Sequence, residues 1–133
     1  MAENREPYFD WVKARHDCTA VNFFNRLKLS AESNVNRRNE VAAERAPLDG
    51  GVQFRFAPDA TMFSVFIEGN AATGVRIRLQ GQQIVVEGTN VNVNFSGNLM
   101  LTGDARCRLR VGNDELDEWQ VLRRALEPLF FHD

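Results

Sequence analysis

Val75-Arg76-Ile77-Arg78-Leu79-Gln80-Gly81-Gln82-Gln83-Ile84-Val85-Val86-Glu87 decides the fold of this chain. Apolar residues alternate with polar ones on both sides of Gly81-Gln82, the period of a half-buried strand. Gly in the first loop position marks a two-residue type II′ hairpin, because that turn needs a positive φ there. The turn sets Leu79 opposite Ile84, Ile77 opposite Val86 and Arg76 opposite Glu87. Inside meets inside twice, which a wrong register would not produce.

The same reasoning extends in both directions. A Gly88-Thr89 turn would set Val86 opposite Val91 and Ile84 opposite Val93. Gly97-Asn98 and Gly103-Asp104 read as further turns, with Val52/Phe54/Phe56, Val91/Val93/Phe95 and Ala105/Cys107/Leu109/Val111 alternating between them. Residues 52–111 therefore read as an antiparallel meander. Before it, residues 7–46 are helical in pattern. Pro7 fits a first helical position, Asp17 or Thr19 a second cap, and Ala20, Phe23, Phe24, Leu27, Ala31, Val35 and Val41 recur at helical spacing. The polar run from Ser33 predicts fraying or a solvent-borne end, and Pro47-Leu48-Asp49-Gly50-Gly51 a stop and turn. After the meander, residues 114–127 form a helix capped by Asp114, with Leu116, Trp119, Leu122, Leu126 and Leu129 as its apolar stripe and Pro128 at its end. Phe130 and Phe131 are expected to dock. The expected fold is α+β: a six- to seven-stranded antiparallel sheet with the N-terminal helices and a C-terminal helix on one face. The alternative is a small barrel capped by the C-terminal helix.

Length and composition bound the function. A chain of 133 residues reads as a single domain, 1–133, that buries about 68% of its extended surface. Hydrophobic residues at 44% exclude a disordered chain, and no apolar run reaches membrane-spanning length. The polar, mixed-charge start does not read as a signal peptide, so a soluble cytoplasmic protein is expected. A net charge of −2 offers no global attraction to nucleic acid or anionic membrane. Two cysteines, Cys18 and Cys107, lie far apart without a C-x-x-C spacing, and reduced thiols are expected, with Cys107 in the core.

The basic residues are fourteen Arg against two Lys. Arg76, Arg78, Arg106, Arg108 and Arg110 would share one sheet face, with Asn92 and Asn94 between them. Such a face could grip a phosphate or carboxylate ligand, or it could be a solvated face with cross-strand pairs such as Arg76 to Glu87. Phe54, Phe56 and Phe95 fall on the apolar side, so the stacking platform of a single-strand nucleic-acid reader is missing there, and nucleic-acid binding is not expected. His16-Asp17-Cys18 places an imidazole, a carboxylate and a thiol together, but neighbours on a helix point about 100° apart and cannot form a nucleophile–base pair. Histidine spacing and acidic loops give no metal site, and no phosphate-cradling or cofactor motif is present, so no cofactor is expected. A single pocket carboxylate leaves no signature; Asp10, Asp17 and Glu68 are the candidates, with His16 beside them.

Two resemblances add to this. Seven short strands followed by Glu118-Trp119-Gln120-Val121-Leu122-Arg123-Arg124-Ala125-Leu126 resemble, over residues 52–127, the closing half of a pleckstrin-homology barrel, whose capping helix carries a Trp. That family binds phosphoinositides through basic residues around its first hairpin. Here that loop is Ala57-Pro58-Asp59-Ala60, so the resemblance does not extend to lipid binding. In size and in its use of Arg for Lys, the whole chain is similar in kind to small uncharacterised bacterial proteins borne on mobile integron gene cassettes. That resemblance implies an α+β protein, often a homo-oligomer with a small-molecule pocket.

The expected function is a non-enzymatic binding module, a homodimer holding a small ligand between sheet and helices. The alternatives are a small hydrolase or isomerase using a pocket carboxylate or His16, and an anion or nucleic-acid binder working through the Arg face. Two-residue turns would place Leu99 and Leu101 on the outer sheet face as the dimer patch, with Phe95, Met100 and Cys107 inside. A three-residue Ser96-Gly97-Asn98 loop would turn Leu99 and Leu101 inward instead.

Overall fold

The computed structural model describes residues 9–44 and 52–131. Helices α1 (Trp11–Asp17) and α2 (Ala20–Glu44) precede seven strands: β1 (Phe54–Pro58), β2 (Met62–Ile67), β3 (Asn70–Gln80), β4 (Gln83–Thr89), β5 (Asn94–Leu101), β6 (Cys107–Val111) and β7 (Asp114–Leu116). Helix α3 (Glu118–Phe130) follows. The strands pair antiparallel in chain order as one open seven-stranded sheet. The fold is α+β, and the sheet is not closed into the barrel of the pleckstrin-homology comparison.

The β3–β4 hairpin forms as its sequence dictates. Leu79 faces Ile84, Ile77 faces Val86, and Arg76 faces Glu87. Gly81 has φ +61° and Gln82 is not among the positive-φ residues, which is the II′ pattern. Ile77, Ile84 and Val86 are buried on the helix-facing side.

The next turns differ from expectation. Val86 faces Phe95, not Val91, so the β4–β5 connection is four residues longer than a Gly88-Thr89 turn would make it. The positive φ falls on Asn90, and Gly88 instead donates its N–H to the Val93 carbonyl at 2.7 Å. A shift of four preserves the period of two, so inside and outside stay as read. Gly97 does not turn at all. It lies mid-strand opposite Ile84, where a Cβ would come within 2.5 Å of the Arg110 carbonyl oxygen and 2.8 Å of the Leu109 side chain. Close packing of β5 on β6 is what requires glycine there. Strand β5 therefore runs straight to Leu101, with Leu99 opposite buried Leu109 and Leu101 opposite Cys107. Leu99 and Leu101 are on the inner face and Met100 on the outer, which removes the apolar patch expected outside. The loop that would have turned them inward does not form either; continuity of the strand does it.

The third difference is at the C-terminal helix. Gly112 (φ +61°) and Asn113 form another two-residue turn, so Asp114–Leu116 becomes β7, with Leu116 opposite Leu109. The N-cap moves from Asp114 to Asp117, whose backbone N–H donates to Gln120 Oε1 at 2.7 Å. The helix passes through Pro128, because buried Leu129 and Phe130 hold its last turn on the core. Phe130 packs on Phe54 with ring centroids 5.0 Å apart, whereas Phe131 stays exposed.

Both α2 and α3 cover the inner face. Phe23, Phe24, Leu27, Ala31 and Val35 of α2 meet Val121, Leu122, Ala125, Leu126 and Leu129 of α3 over Phe63, Val65, Ile77, Ile84 and Val86. Thr19 caps α2, its hydroxyl accepting from Asn22 N–H at 3.1 Å. The polar stretch after Ser33 does not fray. Asn39 clamps β1 with two hydrogen bonds, donating to the Phe54 carbonyl at 2.9 Å and accepting from its N–H at 2.8 Å, and Val35 and Ala42 are buried. Pro7 and the 47–51 stop lie outside the described residues.

Cysteine chemistry is the largest correction. Cys18, between α1 and α2, is disulfide-bonded to Cys107 at the start of β6, with Cα atoms 5.4 Å apart. The packing of α2 on the sheet brings together two positions that sequence spacing could not link. They are not the separate reduced thiols expected.

Candidate functional site

A cleft of about 480 Å³ opens where α2, the start of β6 and the first turn of α3 meet. Its volume falls within the ordinary range for small-molecule sites. Phe23, Trp119 and Leu122 supply its apolar wall, and Cys107 of the disulfide also lines it. Charges of both signs face it in pairs. Arg26 Nε lies 3.5 Å from Glu118 Oε1, and Arg106 Nη2 lies 3.5 Å from Asp117 Oδ1. The Ser30 hydroxyl donates to the other Glu118 oxygen at 2.6 Å.

Each of these groups is positioned by local structure. Arg26 and Ser30 are four residues apart on one face of α2, one turn of helix. Asp117 is fixed as the N-cap of α3 and is held from the sheet side by Arg108 Nε at 3.1 Å. Arg108 has only 19% of its side chain exposed and also donates to Thr102 Oγ1 at 3.0 Å and Asp104 Oδ1 at 3.2 Å. The Asp117 hydrogen bond above all, with the charge of Asp104, raises the Arg108 guanidinium pKa further. The Asp104 carboxyl is lowered, first by the Thr102 hydroxyl and then by Arg108.

A second concavity of about 410 Å³ continues along the two helices, lined by Arg38, Val41, Leu126 and Phe131. It shares Asn34, Trp119 and Leu122 with the first. Trp119 is 60% exposed at their common rim, although its sequence position reads as part of the buried stripe. Arg38 stacks over the Phe54 and Phe131 rings, 5.3 Å from each centroid, and donates to the Phe130 carbonyl at 3.0 Å.

Of the five arginines read from the sequence, Arg76, Arg78, Arg108 and Arg110 alternate with buried Ile77 and Leu109 and so lie on the outer sheet face, each with its own neighbours. Arg78 pairs with Glu87 at 3.3 Å, and that bond holds the Glu87 carboxyl below its usual range. Arg76, directly opposite Glu87, is exposed. Arg110 is exposed opposite Glu115, and Arg108 is committed to the network around Asp117. Arg106 lies before β6 rather than in it and turns to the cleft, because the 102–106 segment leaves the strand with Ala105 at φ +62°.

The acid–base candidates are scattered on the surface. Asp10 caps α1, accepting from Lys13 N–H at 3.1 Å. His16 has 87% of its side chain exposed and contacts Asp17 at 3.2 Å; Lys13, at 2.7 Å, and then His16 lower the Asp17 pKa. Glu68 is exposed in the β2–β3 turn. None of these four lines either concavity. The described residues contain no cluster of three or more potential metal ligands and no helix long and apolar enough to cross a membrane.

Sequence reasoning missed Arg26, Ser30, Asp117, Glu118 and the exposure of Trp119. Of these only Trp119 carried a signal, and it read as part of the apolar stripe. Comparison with protein-family models, with curated proteins and with solved structures finds no match.

Proposed function

We propose that this protein is a non-enzymatic binding module whose ligand seats in the cleft between α2, α3 and the start of β6. The observation that carries this reading is Trp119, a large aromatic 60% exposed on the rim shared by two concavities. Paired charges of both signs beside an apolar wall suit a zwitterion with an apolar or aromatic part, such as an amino acid or short peptide. Cytoplasmic location is part of this reading.

A thermal-shift panel of amino acids and short peptides tests it, since a ligand specific to the folded state raises apparent stability. Hits should stabilise the wild type and lose their effect in Trp119→Ala. Hits indifferent to Trp119→Ala would refute the assignment.

Self-association is a second reading, moved from the outer sheet face to α1 and the residues flanking it. Phe9, Trp11, Val12 and Val21 are all more than half exposed, and a two-fold partner would cover them. Light scattering should show a dimer that Trp11→Asp dissociates; a 15.1 kDa species at every concentration would exclude it.

A further inference from the structure

The wall of the cleft contains one half of the disulfide. Cys107 lines the cavity, and both bridged cysteines are only half-buried. Cys18 is at once the C-cap of α1 and the residue before the Thr19 cap of the 25-residue helix α2, so it joins the two helices. The bridge thus offers Cys107 Sγ to a molecule in the cleft, with Cys18 as the leaving sulfur on the other side. Beside it, Arg106 with Asp117 and Arg26 with Glu118 offer both signs of charge to that molecule.

We propose that the Cys18–Cys107 bridge is a thiol–disulfide exchange site for a zwitterionic low-molecular-weight thiol bound in the cleft. This rests on the binding reading above and names its ligand class. The ligand thiolate attacks Cys107 Sγ, the Cys18–Cys107 bond breaks, and Cys18 leaves as the thiolate. A second ligand thiolate then attacks the ligand sulfur of the mixed disulfide and releases Cys107. The ligand pair is oxidised to its disulfide, and the protein gains two electrons as two thiols.

The test follows bridge reduction in the full chain by cysteine, 2-mercaptoethanol, thioglycolate and cysteamine, each rate corrected for its thiolate fraction. Cysteine should saturate and exceed the other three by about tenfold at low concentration, as bound proximity requires. Arg106→Ala should abolish the saturation with cysteine and bring its corrected rate down to that of 2-mercaptoethanol measured in the same variant. Rates that are linear in all four thiols and ordered only by thiol pKa would overturn the proposal. S-methylcysteine, which cannot exchange, separates the two claims through Trp119 fluorescence in Trp11→Phe. Its binding together with linear rates would sink exchange and keep the cleft as a ligand site; no binding together with linear rates would sink both.

Discussion

Cys18, at the joint between α1 and α2, is covalently tied to Cys107, the first residue of β6, although 89 positions separate them in the chain. The tie crosses from the helical layer to the sheet and closes a loop containing most of the core. A cross-link over so long a loop restricts the unfolded chain strongly, with a typical worth of about 2–4 kcal/mol. Replacing both cysteines by Ala should lower the urea-derived stability by that amount. A loss below about 0.5 kcal/mol would mean that the bridge does not constrain the chain as the structure implies.

Helix α1 buries none of its residues, and its hydrogen bond to α2 is the local one from Asn22 Nδ2 to the Asp17 carbonyl. Reduction should therefore loosen α1 while α2 and the sheet stay folded. Trypsin should cut after Lys13 and Arg15 faster in the reduced protein, with far-UV circular dichroism nearly unchanged. Equal cleavage in both redox states would show that other contacts hold the helix.

Gly97 and Gly103 make a matched pair for testing the β5 strand. A side chain at 97 would enter the Arg110 carbonyl and the Leu109 side chain, whereas a Cβ at 103 meets nothing within 4 Å. Gly97→Val should cost at least about 1–3 kcal/mol, the usual overpacking penalty. Gly103→Ala should stay within about 0.5 kcal/mol of wild type. If 97 tolerated Val and 103 did not, the strand and the turn would have been exchanged.

Glu87 is held below its ordinary pKa of 4.5, first by its hydrogen bond from Arg78. A depressed folded-state pKa contributes stability that is present above the unfolded value and is lost as pH falls through the folded one. The effect is small because the pair is solvent-exposed. Below about pH 4.5, Glu87→Gln should lose less stability than wild type on further acidification, while near pH 7 it should be slightly less stable. Parallel acid profiles for the two proteins would exclude the pair as a contributor.

How much of this was legible follows from where each constraint resides. The Gly81-Gln82 hairpin was readable because turn chemistry and period two agree within thirteen residues. Gly88 misled about loop length but not about faces, since parity survives a shift of four. Gly97 misled completely: a glycine demanded by close strand packing looks in sequence like one demanded by a turn. Gly112-Asn113 was readable by the rule that worked at Gly81, but Asp114 before an apolar stripe suggested a helix cap instead. The cleft was not legible, because Arg26, Arg106 and Glu118 meet only once α2 and α3 have packed on the sheet. The same holds for the disulfide.

The most direct test of the binding cleft watches the Trp119 indole N–H in a ¹⁵N–¹H correlation spectrum during titration with an aromatic dipeptide such as Gly-Phe. With Trp11 the only other tryptophan, the two indole signals are readily separated by a Trp11→Phe control. Saturable movement of the Trp119 signal, together with the backbone signals of Arg26, Ser30 and Arg106, is the predicted result. Ligand-induced shifts confined to the outer sheet face around Arg76 and Arg110, with Trp119 unmoved, would contradict it.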